Sequence, residues 1–570
     1  MRRAIAFWIA LGVVALIGWS LWEAGPRIPD RGVLAIDLAG TLADPPAMDT
    51  VARWTSRGPA LPTLILQLEK AAQDDRIVGV LLRVRGIQAG FAQIQELRDS
   101  LERVRQAGTR VVVLLDLAAF NATRELYLAS AADRVFAMPG LLAPLAGIAG
   151  EFLHLGAGFE KLGIRIEYER IGKYKSAPEM FSGEEMSAPA REVATDLLDR
   201  IYRQLVDGIA AGRGLEAARV RELIEAAPAS SRELIEAGLI DGEATPETVI
   251  EAAGLEDAER VDYAQYLRVD PRDLRLRNGP AVGLIFASGT ITQSAGRFAA
   301  AAFTQDRVVQ ALQDAASDDD VRAIVLRIDS GGGSAQASDA IWQAVRAARE
   351  RKPVVVSMGN AAASGGYYVA SGADAIVAEP ATLTGSIGVF FIRPAVRELY
   401  HKLGISAEVL TRGSFAAIGS MSLPMTEGVR ARARVLVRSM YDAFLNRVST
   451  GRGLDRERVD ALGQGRVWLG ESARADGLID EIGGLHAAVA RAQREAGIAP
   501  EIDPARVIFP GPRSLQAQLR SLLRGSMRAL VLQALGLDPL PADLERSWEM
   551  LSGPLDGPVV YLPEAWLVLH

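Results

Sequence analysis

The stretch YVASGADAI (residues 368–376) repeats, with few changes, the earlier stretch YLASAADRV (residues 127–135). Five further pairs of similar segments occur in the same order along both halves of the chain, at separations between 239 and 249 residues. These pairs are residues 32–42 and 281–291, 78–86 and 321–330, 160–167 and 401–408, the GRGL segments that begin at 212 and 451, and 237–242 and 476–483. Self-similarity at a nearly constant separation indicates a duplicated fold. The sequence therefore predicts two related domains in tandem.

Each half alternates short runs of β-branched residues with amphipathic segments. VVVLL (residues 111–115) and AIVLRI (residues 323–328) are typical of strands, and residues 337–352 have the apolar spacing of a helix. This alternation favours an α/β fold with a mainly parallel sheet covered by helices. The predicted units are a first repeat over residues 27–265, a linker over 266–281 and a second repeat over 282–495.

The N-terminus carries an apolar segment. Residues 4–22 follow two arginines and contain no charge, and at 1.5 Å per residue they come close to spanning a bilayer core of about 30 Å. We predict a transmembrane anchor over residues 1–26. A cleaved signal peptide is the alternative, but the apolar run is longer than usual and a good cleavage site is lacking. The preceding positive charges predict a cytoplasmic N-terminus, with the rest of the chain outside.

The last part of the chain, residues 496–570, has no counterpart in the repeat. Residues 515–536 have the spacing of an amphipathic helix with arginines on its polar face. We predict a helical extension that packs on the body or on a neighbouring subunit. A helix lying on a membrane surface is the alternative.

Composition excludes several kinds of chemistry. The 570 residues carry a formal net charge of -7 and include no cysteine. Thiolate nucleophiles, cysteine-ligated zinc and disulfides are therefore excluded. The charge, with no basic stripe, argues against nucleic acid as a partner. No metal and no organic cofactor is indicated.

The segment GNAAASGGYY (residues 359–368) sets Ser364 between two runs of small residues. It follows a predicted strand and opens a helical segment, so we expect the Ser364 hydroxyl at a helix N-terminus beside the N–H of Gly365. That position suits a nucleophile with an adjacent oxyanion donor, although a serine that merely caps the helix would show the same pattern. In the first half, Thr123 takes this position and two larger residues follow it.

The loop RIDSGGGS (residues 327–334) lies between a predicted strand and a helix. Its glycines would let backbone N–H groups turn outward and hold an anion, although a plain flexible turn would look the same. The loop is neither a Walker A motif nor a GxGxxG fingerprint, so nucleotide binding is not expected.

A nucleophilic serine needs a base, and the usual base is histidine. The chain has four histidines, none of which lies in a stretch resembling a catalytic loop: His154, His401, His486 and His570. A neutral lysine can replace histidine if burial lowers its pKa. The segment ERIGKYKSAPEMF (residues 169–181) offers Lys175, with Lys173 as the alternative.

The two halves have lost complementary groups. The second half keeps Ser364 where the first has Thr123, and the first half keeps Lys175 where the second has Ala416. A duplication that joins both halves around one site would produce this pattern. We therefore expect one site that uses a serine from one half and a lysine from the other.

These motifs resemble the long form of the signal peptide peptidase A family, also called protease IV. The resemblance covers about residues 30–490 and is carried by the serine segment, the GKYKSA segment (residues 172–177), LTGSIGV (residues 383–389) and the glycine loop. Members are membrane-anchored bacterial serine proteases with a Ser/Lys dyad. The resemblance implies a tandem duplication of a crotonase/Clp-protease-like domain, preceded by an N-terminal transmembrane helix.

The resemblance also implies roles for particular residues. They are Ser364 as nucleophile, Lys175 as general base, Gly332 and Gly365 as oxyanion donors through their N–H groups, and Ser386 as the hydroxyl that orients the lysine amine. The family usually has proline where this chain has Gly331, a change that loosens the loop.

The implied function is a serine endopeptidase that degrades cleaved signal peptides and other small apolar peptides. By resemblance it is a homotetramer, held in the bacterial inner membrane by one span, with its catalytic body in the periplasm. One alternative is an inactive membrane-bound scaffold, against which the intact set of Ser364, Lys175 and Ser386 argues. The other is a crotonase-like acyl-CoA enzyme, which an exported location disfavours because CoA is cytoplasmic.

Overall fold

The structure is a computed structural model that describes residues 27–44, 60–294, 303–511, 559–561 and 568–569. The predicted anchor over residues 1–26 and the amphipathic helix predicted over 515–536 lie outside the described residues. None of the helices in the described part of the chain combines the length and apolar character that a bilayer span requires.

The first half alternates strands and helices as the sequence predicts. Its strands are β1 (Gly32–Thr41), β2 (Ile77–Gln88), β3 (Arg110–Leu115), β4 (Arg134–Ala137), β5 (Gly150–Glu151), β6 (Arg165–Ile171), β7 (Gly242–Glu243) and β8 (Glu259–Asp262). Its helices are α1 (Leu61–Gln73), α2 (Phe91–Gln106), α3 (Thr123–Ala129), α4 (Gly156–Leu162), α5 (Glu179–Ser182), α6 (Ala188–Arg213), α7 (Ala217–Ala226), α8 (Ser231–Glu236), α9 (Val249–Ala252) and α10 (Tyr263–Tyr266). Six strands form a parallel sheet in the order β7-β4-β3-β2-β1-β8.

The second half repeats this arrangement. Its strands are β9 (Gly279–Ser288), β10 (Val321–Ser330), β11 (Gly332–Ser334), β12 (Val354–Ala363), β13 (Ala375–Ala378), β14 (Leu383–Gly385), β15 (Val389–Ala395), β16 (Val467–Leu469), β17 (Glu481–Ile482) and β18 (Pro504–Phe509). Its helices are α11 (Gln305–Ser317), α12 (Ala335–Arg349), α13 (Gly365–Ala370), α14 (Arg397–Lys402), α15 (Glu427–Arg452), α16 (Arg456–Leu462), α17 (Gly470–Ala475) and α18 (Leu485–Glu495). The main path of its sheet is β16-β14-β12-β10-β9-β18, with β13 and β17 branching from β12.

The repeated GRGL segment has the same packing role in both halves. It ends α6 and α15, which are 26 residues each. A Cβ at Gly212 would lie 2.1 Å from the carbonyl oxygen of Ser130, and a Cβ at Gly451 would lie 1.8 Å from that of Ser371. Only glycine therefore lets each long helix approach the end of the short helix beneath it, α3 or α13.

The regions outside the two predicted repeats also contain regular structure. The predicted linker, residues 266–281, contains a 3₁₀ helix (Pro271–Leu274) and runs into the start of β9. The predicted C-terminal extension, residues 496–570, has strands in its described parts, namely β18, β19 (Val559–Tyr561) and β20 (Val568–Leu569). β18 pairs with β9 just as β8 pairs with β1, so the second sheet continues beyond residue 495.

The two halves dock through a shared sheet and a buried ion cluster. A four-stranded sheet in the order β11-β19-β15-β6 pairs β6 of the first half antiparallel with β15 of the second. Nearby, the fully buried Arg327 on β10 contacts Asp44 and Glu96 of the first half, each at 2.7 Å. This docking carries the loop that follows β6 onto the end of β12.

Candidate active site

Ser364 stands between the end of β12 and the first residue of α13, as the sequence predicts. Its backbone has φ 54° and ψ -113°, a conformation that is strained for a residue with a side chain. The side chain is completely buried and makes no capping hydrogen bond to α13. The small neighbours are needed because the backbone is crowded: a Cβ at Gly366 would lie 2.9 Å from the carbonyl oxygen of Ser330.

Lys175 reaches this serine from the other half of the chain. Its Nζ lies 2.6 Å from the Oγ of Ser364, and 3.0 Å from both the carbonyl oxygen and the Oγ of Ser386. The lysine is 1% exposed. Burial lowers its pKa well below the ordinary value, because removal from water disfavours the charged amine. The three side chains therefore form one dry, hydrogen-bonded group.

The loop of residues 463–466 holds the backbone of Lys175 in place. The N–H of Tyr174 donates to the carbonyl oxygen of Gln464 at 2.8 Å. Gly465 has φ 78°, and a Cβ there would lie 2.5 to 2.6 Å from the N, Cα and Cβ atoms of Lys175. Arg170 also donates to the carbonyl oxygen of Lys175, at 2.8 Å.

The other candidate bases lie elsewhere. Lys173 is exposed, with its Nζ 4.6 Å from the centre of the Tyr174 ring. His154 contacts the carbonyl oxygen of Phe152, and His486 pairs with Glu69 at 2.8 Å. His401 is exposed, and His570 lies outside the described residues. Lys175 is thus the basic side chain that contacts Ser364 among the described candidates.

The three remaining predicted site residues are Gly365, Gly332 and Ser386. Gly365 is the first residue of α13, so its N–H has no acceptor within the helix. Gly332 has φ 111°, and its N–H donates to the Oγ of Ser330 at 3.1 Å. It pairs with Tyr561 of β19. Ser386 has φ 51° and contacts the lysine amine through two of its oxygen atoms.

The corresponding place in the first half is arranged differently. The Oγ1 of Thr123 accepts a hydrogen bond from the N–H of Gly147 at 3.0 Å, and the carboxylate of Glu125 accepts one from the N–H of Ile87 at 3.0 Å. Ala416, the counterpart of Lys175, is exposed. The first half thus uses the equivalent position for backbone hydrogen bonds.

Sequence reasoning missed the contribution of the loop of residues 463–466. It acts through backbone contacts and through the side chain of Arg466, which lies 5.1 Å from the Tyr174 ring. The loop contains no nucleophilic or general-base side chain, so its sequence does not indicate a role at the site. Its two glycines, Gly463 and Gly465, are the feature of the sequence that indicates a close approach to another backbone segment.

Comparison with known proteins agrees with this architecture. The family model "Peptidase family S49" matches residues 103–259 and 346–499, once in each half, and the model "Clp protease" matches residues 299–382. The fold is therefore a Clp-protease-like α/β fold, and the class is serine protease. The chain belongs to peptidase family S49.

Relatives of similar length support this family assignment. The chain is 33% identical to the chloroplastic serine protease SPPA of Arabidopsis thaliana over 483 residues, covering 83% of this chain and 70% of the relative. It is 29% identical to Protease 4 of Haemophilus influenzae over 519 residues (85% and 82%) and 29% identical to Protease 4 of Salmonella typhi over 567 residues (93% and 89%). The predicted resemblance to the signal peptide peptidase A family is confirmed.

Proposed function

We propose that this serine protease is an endopeptidase with Ser364 as nucleophile and Lys175 as general base. The observation that carries the proposal is the 2.6 Å separation between Nζ and Oγ in a buried site. General-base catalysis needs the base within hydrogen-bond reach of the proton it removes, and this distance meets that need. The lowered pKa of Lys175, caused by burial, favours the neutral amine that a base requires.

The proposed reaction is acyl transfer to the serine. The Oγ of Ser364 attacks a peptide carbonyl carbon while the amine of Lys175 takes the hydroxyl proton. The lysine then returns this proton to the leaving amine as the peptide C–N bond breaks. Water, deprotonated by the same lysine, attacks the acyl-enzyme and releases the second product. The carbonyl oxygen of Ser386, 3.0 Å from Nζ, accepts an amine N–H and so directs the lone pair toward Ser364.

The N–H groups of Gly365 and Gly332 are proposed to stabilise the oxyanion. The N–H of Gly365 stands at the start of α13, where it adjoins Ser364. The N–H of Gly332 donates to the neutral hydroxyl of Ser330 at 3.1 Å. A developing oxyanion would be the stronger acceptor, because charge-assisted hydrogen bonds are about twice as strong as neutral ones.

We further propose small apolar peptides, such as cleaved signal peptides, as substrates. The proposal rests on the uncharged segment of residues 4–22, which would hold the protein in the membrane that contains such peptides. The two arginines before this segment favour a cytoplasmic N-terminus and a periplasmic body in a bacterial inner membrane.

A homotetramer is also proposed, and the duplication supports self-association. Within one chain, the lysine segment of the first half docks on the serine face of the second. The equivalent segment of the second half leaves Leu410 90% exposed and Phe415 exposed, while Phe120, beside the equivalent face of the first half, is 99% exposed. If these two surfaces bind each other between copies, the contact is head-to-tail, and such a contact gives a ring when its rotation closes. Light scattering on the variants Leu410→Glu and Phe120→Glu should give smaller particles, and unchanged masses would contradict this interface.

Active-site labelling tests the proposed roles of Ser364 and Lys175. The full chain, purified in detergent, should react with a fluorophosphonate probe, and peptide mapping should place the label on Ser364. Ser364→Ala and Lys175→Ala should abolish peptide hydrolysis with circular dichroism unchanged, whereas Lys173→Ala should retain it as the matched control. Hydrolysis by Ser364→Ala would overturn the proposal. A greater loss in Lys173→Ala than in Lys175→Ala would overturn the choice of base.

A further inference from the structure

Arg466 contacts both Ser386, which binds the lysine amine, and Tyr174, which precedes Lys175 in the chain, without touching the reacting atoms itself. It ends the segment GQGR (residues 463–466), directly before β16. One connection runs through its backbone to Ser386, and the other through its side chain to Tyr174. The first connection ends at a residue that contacts the amine of Lys175, and the second ends at the residue before Lys175.

The backbone connection fixes Ser386. The N–H of Ser386 donates to the carbonyl oxygen of Arg466 at 2.7 Å. Ser386 has φ 51°, a conformation that a residue with a side chain adopts only when its surroundings impose it. Because Ser386 presents both its carbonyl oxygen and its Oγ to Nζ at 3.0 Å, the position of Arg466 bears directly on the direction of the lysine amine.

The side-chain connection fixes Tyr174. The guanidinium of Arg466 lies between two rings, 5.1 Å from the centre of Tyr174 and 4.8 Å from that of Trp468. It also pairs with Glu192 on α6 at 2.7 Å, and the hydroxyl of Tyr174 donates to the same carboxylate at 3.1 Å. Tyr174, the residue before Lys175, is therefore held on its face and at its hydroxyl.

The chemistry of this contact requires arginine. A guanidinium is planar, so it can stack on two rings while its edge donates to a carboxylate. A lysine ammonium is a compact charge that cannot do both. The side chain of Arg466 is 18% exposed and that of Glu192 is 54% exposed, so the ring contacts are better shielded from solvent than the ion pair. These contacts also join the two halves of the chain, because Tyr174 and Glu192 belong to the first half and Arg466 belongs to the second.

We propose that Arg466 is a positioning residue that holds the amine of Lys175 against Ser364. This inference rests on the proposed function. Without the guanidinium, Tyr174 and Lys175 move away from Ser364 and water reaches the amine. Catalysis then slows, while peptide binding is little affected because Arg466 does not reach Ser364.

The charged groups around Lys175 make the pH dependence a specific readout. They are Lys173, Arg170 and Glu179 from the first half, Glu192 and Asp196 on α6, and Arg466 itself. Loss of Arg466 admits water to the amine, and because burial is what lowers the pKa of Lys175, its pKa rises toward the ordinary value. The rise in rate with pH should therefore move to higher pH.

The test compares Arg466→Met with Arg430→Met in the full chain. Arg430 on α15 also crosses between the halves, to Glu169 at 2.8 Å, but it contacts neither Tyr174 nor Ser386. We expect Arg466→Met to lower kcat by about 10 to 100-fold with KM little changed, since a displacement of about 1 Å costs up to about 100-fold. Its pH–rate profile should shift to higher pH, whereas the profile of Arg430→Met should not shift.

An unchanged kcat and pH profile in folded Arg466→Met would overturn the proposal, as would an equal shift in Arg430→Met. If Arg466→Met does not fold, Glu192→Gln removes the closer of the two carboxylates that pair with Arg466 and should lower kcat by a smaller factor. An unchanged kcat in Glu192→Gln would overturn the proposal. Activity retained by Ser364→Ala or Lys175→Ala would refute the dyad itself. If Ser364→Ala and Lys175→Ala are both inactive but Arg466→Met has the kcat and pH profile of the wild type, only the role of Arg466 is refuted.

Discussion

Replacing Gly465 by alanine should move the lysine without changing any reactive group. The new Cβ would lie 2.5 to 2.6 Å from three atoms of Lys175, and ordinary contact begins at 3.4 Å. The two segments must therefore separate by about 0.8 Å, which is close to the displacement that costs an enzyme about 100-fold in rate. The same shift along the Nζ–Oγ direction would lengthen the 2.6 Å contact to about 3.4 Å, beyond the usual range of a hydrogen bond.

The substitution also strains the backbone, and that effect can be measured separately. Gly465 has φ 78°, where an L-residue costs about 1 to 2 kcal/mol. Gly477 has the same φ of 78°, but a Cβ there would approach only Leu454, at 3.8 Å. Gly477→Ala therefore reproduces the strain without moving the lysine.

The assay is kcat for a fluorogenic apolar peptide together with the free energy of unfolding. Both variants should lose the stability that the backbone strain costs, and Gly465→Ala should lose more because of its close contacts with Lys175. Only Gly465→Ala should lose about 100-fold in kcat. A Gly465→Ala protein with wild-type kcat would show that the position of the Lys175 backbone does not limit the reaction. An equal loss of kcat in Gly477→Ala would show that backbone strain, not displacement, slows the enzyme.

Three other substitutions probe different parts of the molecule. Lys175→Met should be inactive. In denaturant titrations the wild type should gain stability relative to this variant as the pH rises from 7 toward the ordinary lysine pKa of 10.5, because the unfolded chain binds a proton that the buried amine does not. No gain would mean that the folded lysine stays charged. Arg327→Met leaves Asp44 and Glu96 buried without their partner and should lower the free energy of unfolding by about 3 to 5 kcal/mol, and a neutral result would contradict the packing of the two halves around this cluster. Thr123→Ala should leave peptide hydrolysis close to wild type, and a large loss would indicate a second site in the first half.

The sequence was informative where the signal is local or repeated. Strands such as β3 and β10 follow from short β-branched runs, and the duplication follows from segments repeated in order. The closeness of Lys175 and Ser364 could be anticipated because the two halves can be compared position by position, which shows what each has lost. A chain without this duplication would have offered no such comparison.

The remaining features depend on contacts between distant segments. Arg327 is an ordinary strand residue in the sequence, and only docking of the halves surrounds it with acidic side chains. β19 is three residues long and pairs with β11, more than two hundred positions earlier, so no local pattern indicates its place. The importance of Arg466 lies in a carbonyl oxygen and a stacked guanidinium, neither of which has a pattern in one sequence.

The division of the proposed dyad between two halves has a consequence for biosynthesis. A nascent chain that ends before residue 364 has the amine but no alcohol to activate, and an excised second half has the alcohol but no amine. On the proposed mechanism, neither a truncated translation product nor a clipped fragment can cut its neighbours. On this mechanism the protein would acquire its proteolytic activity only after both halves have been synthesised and have folded together.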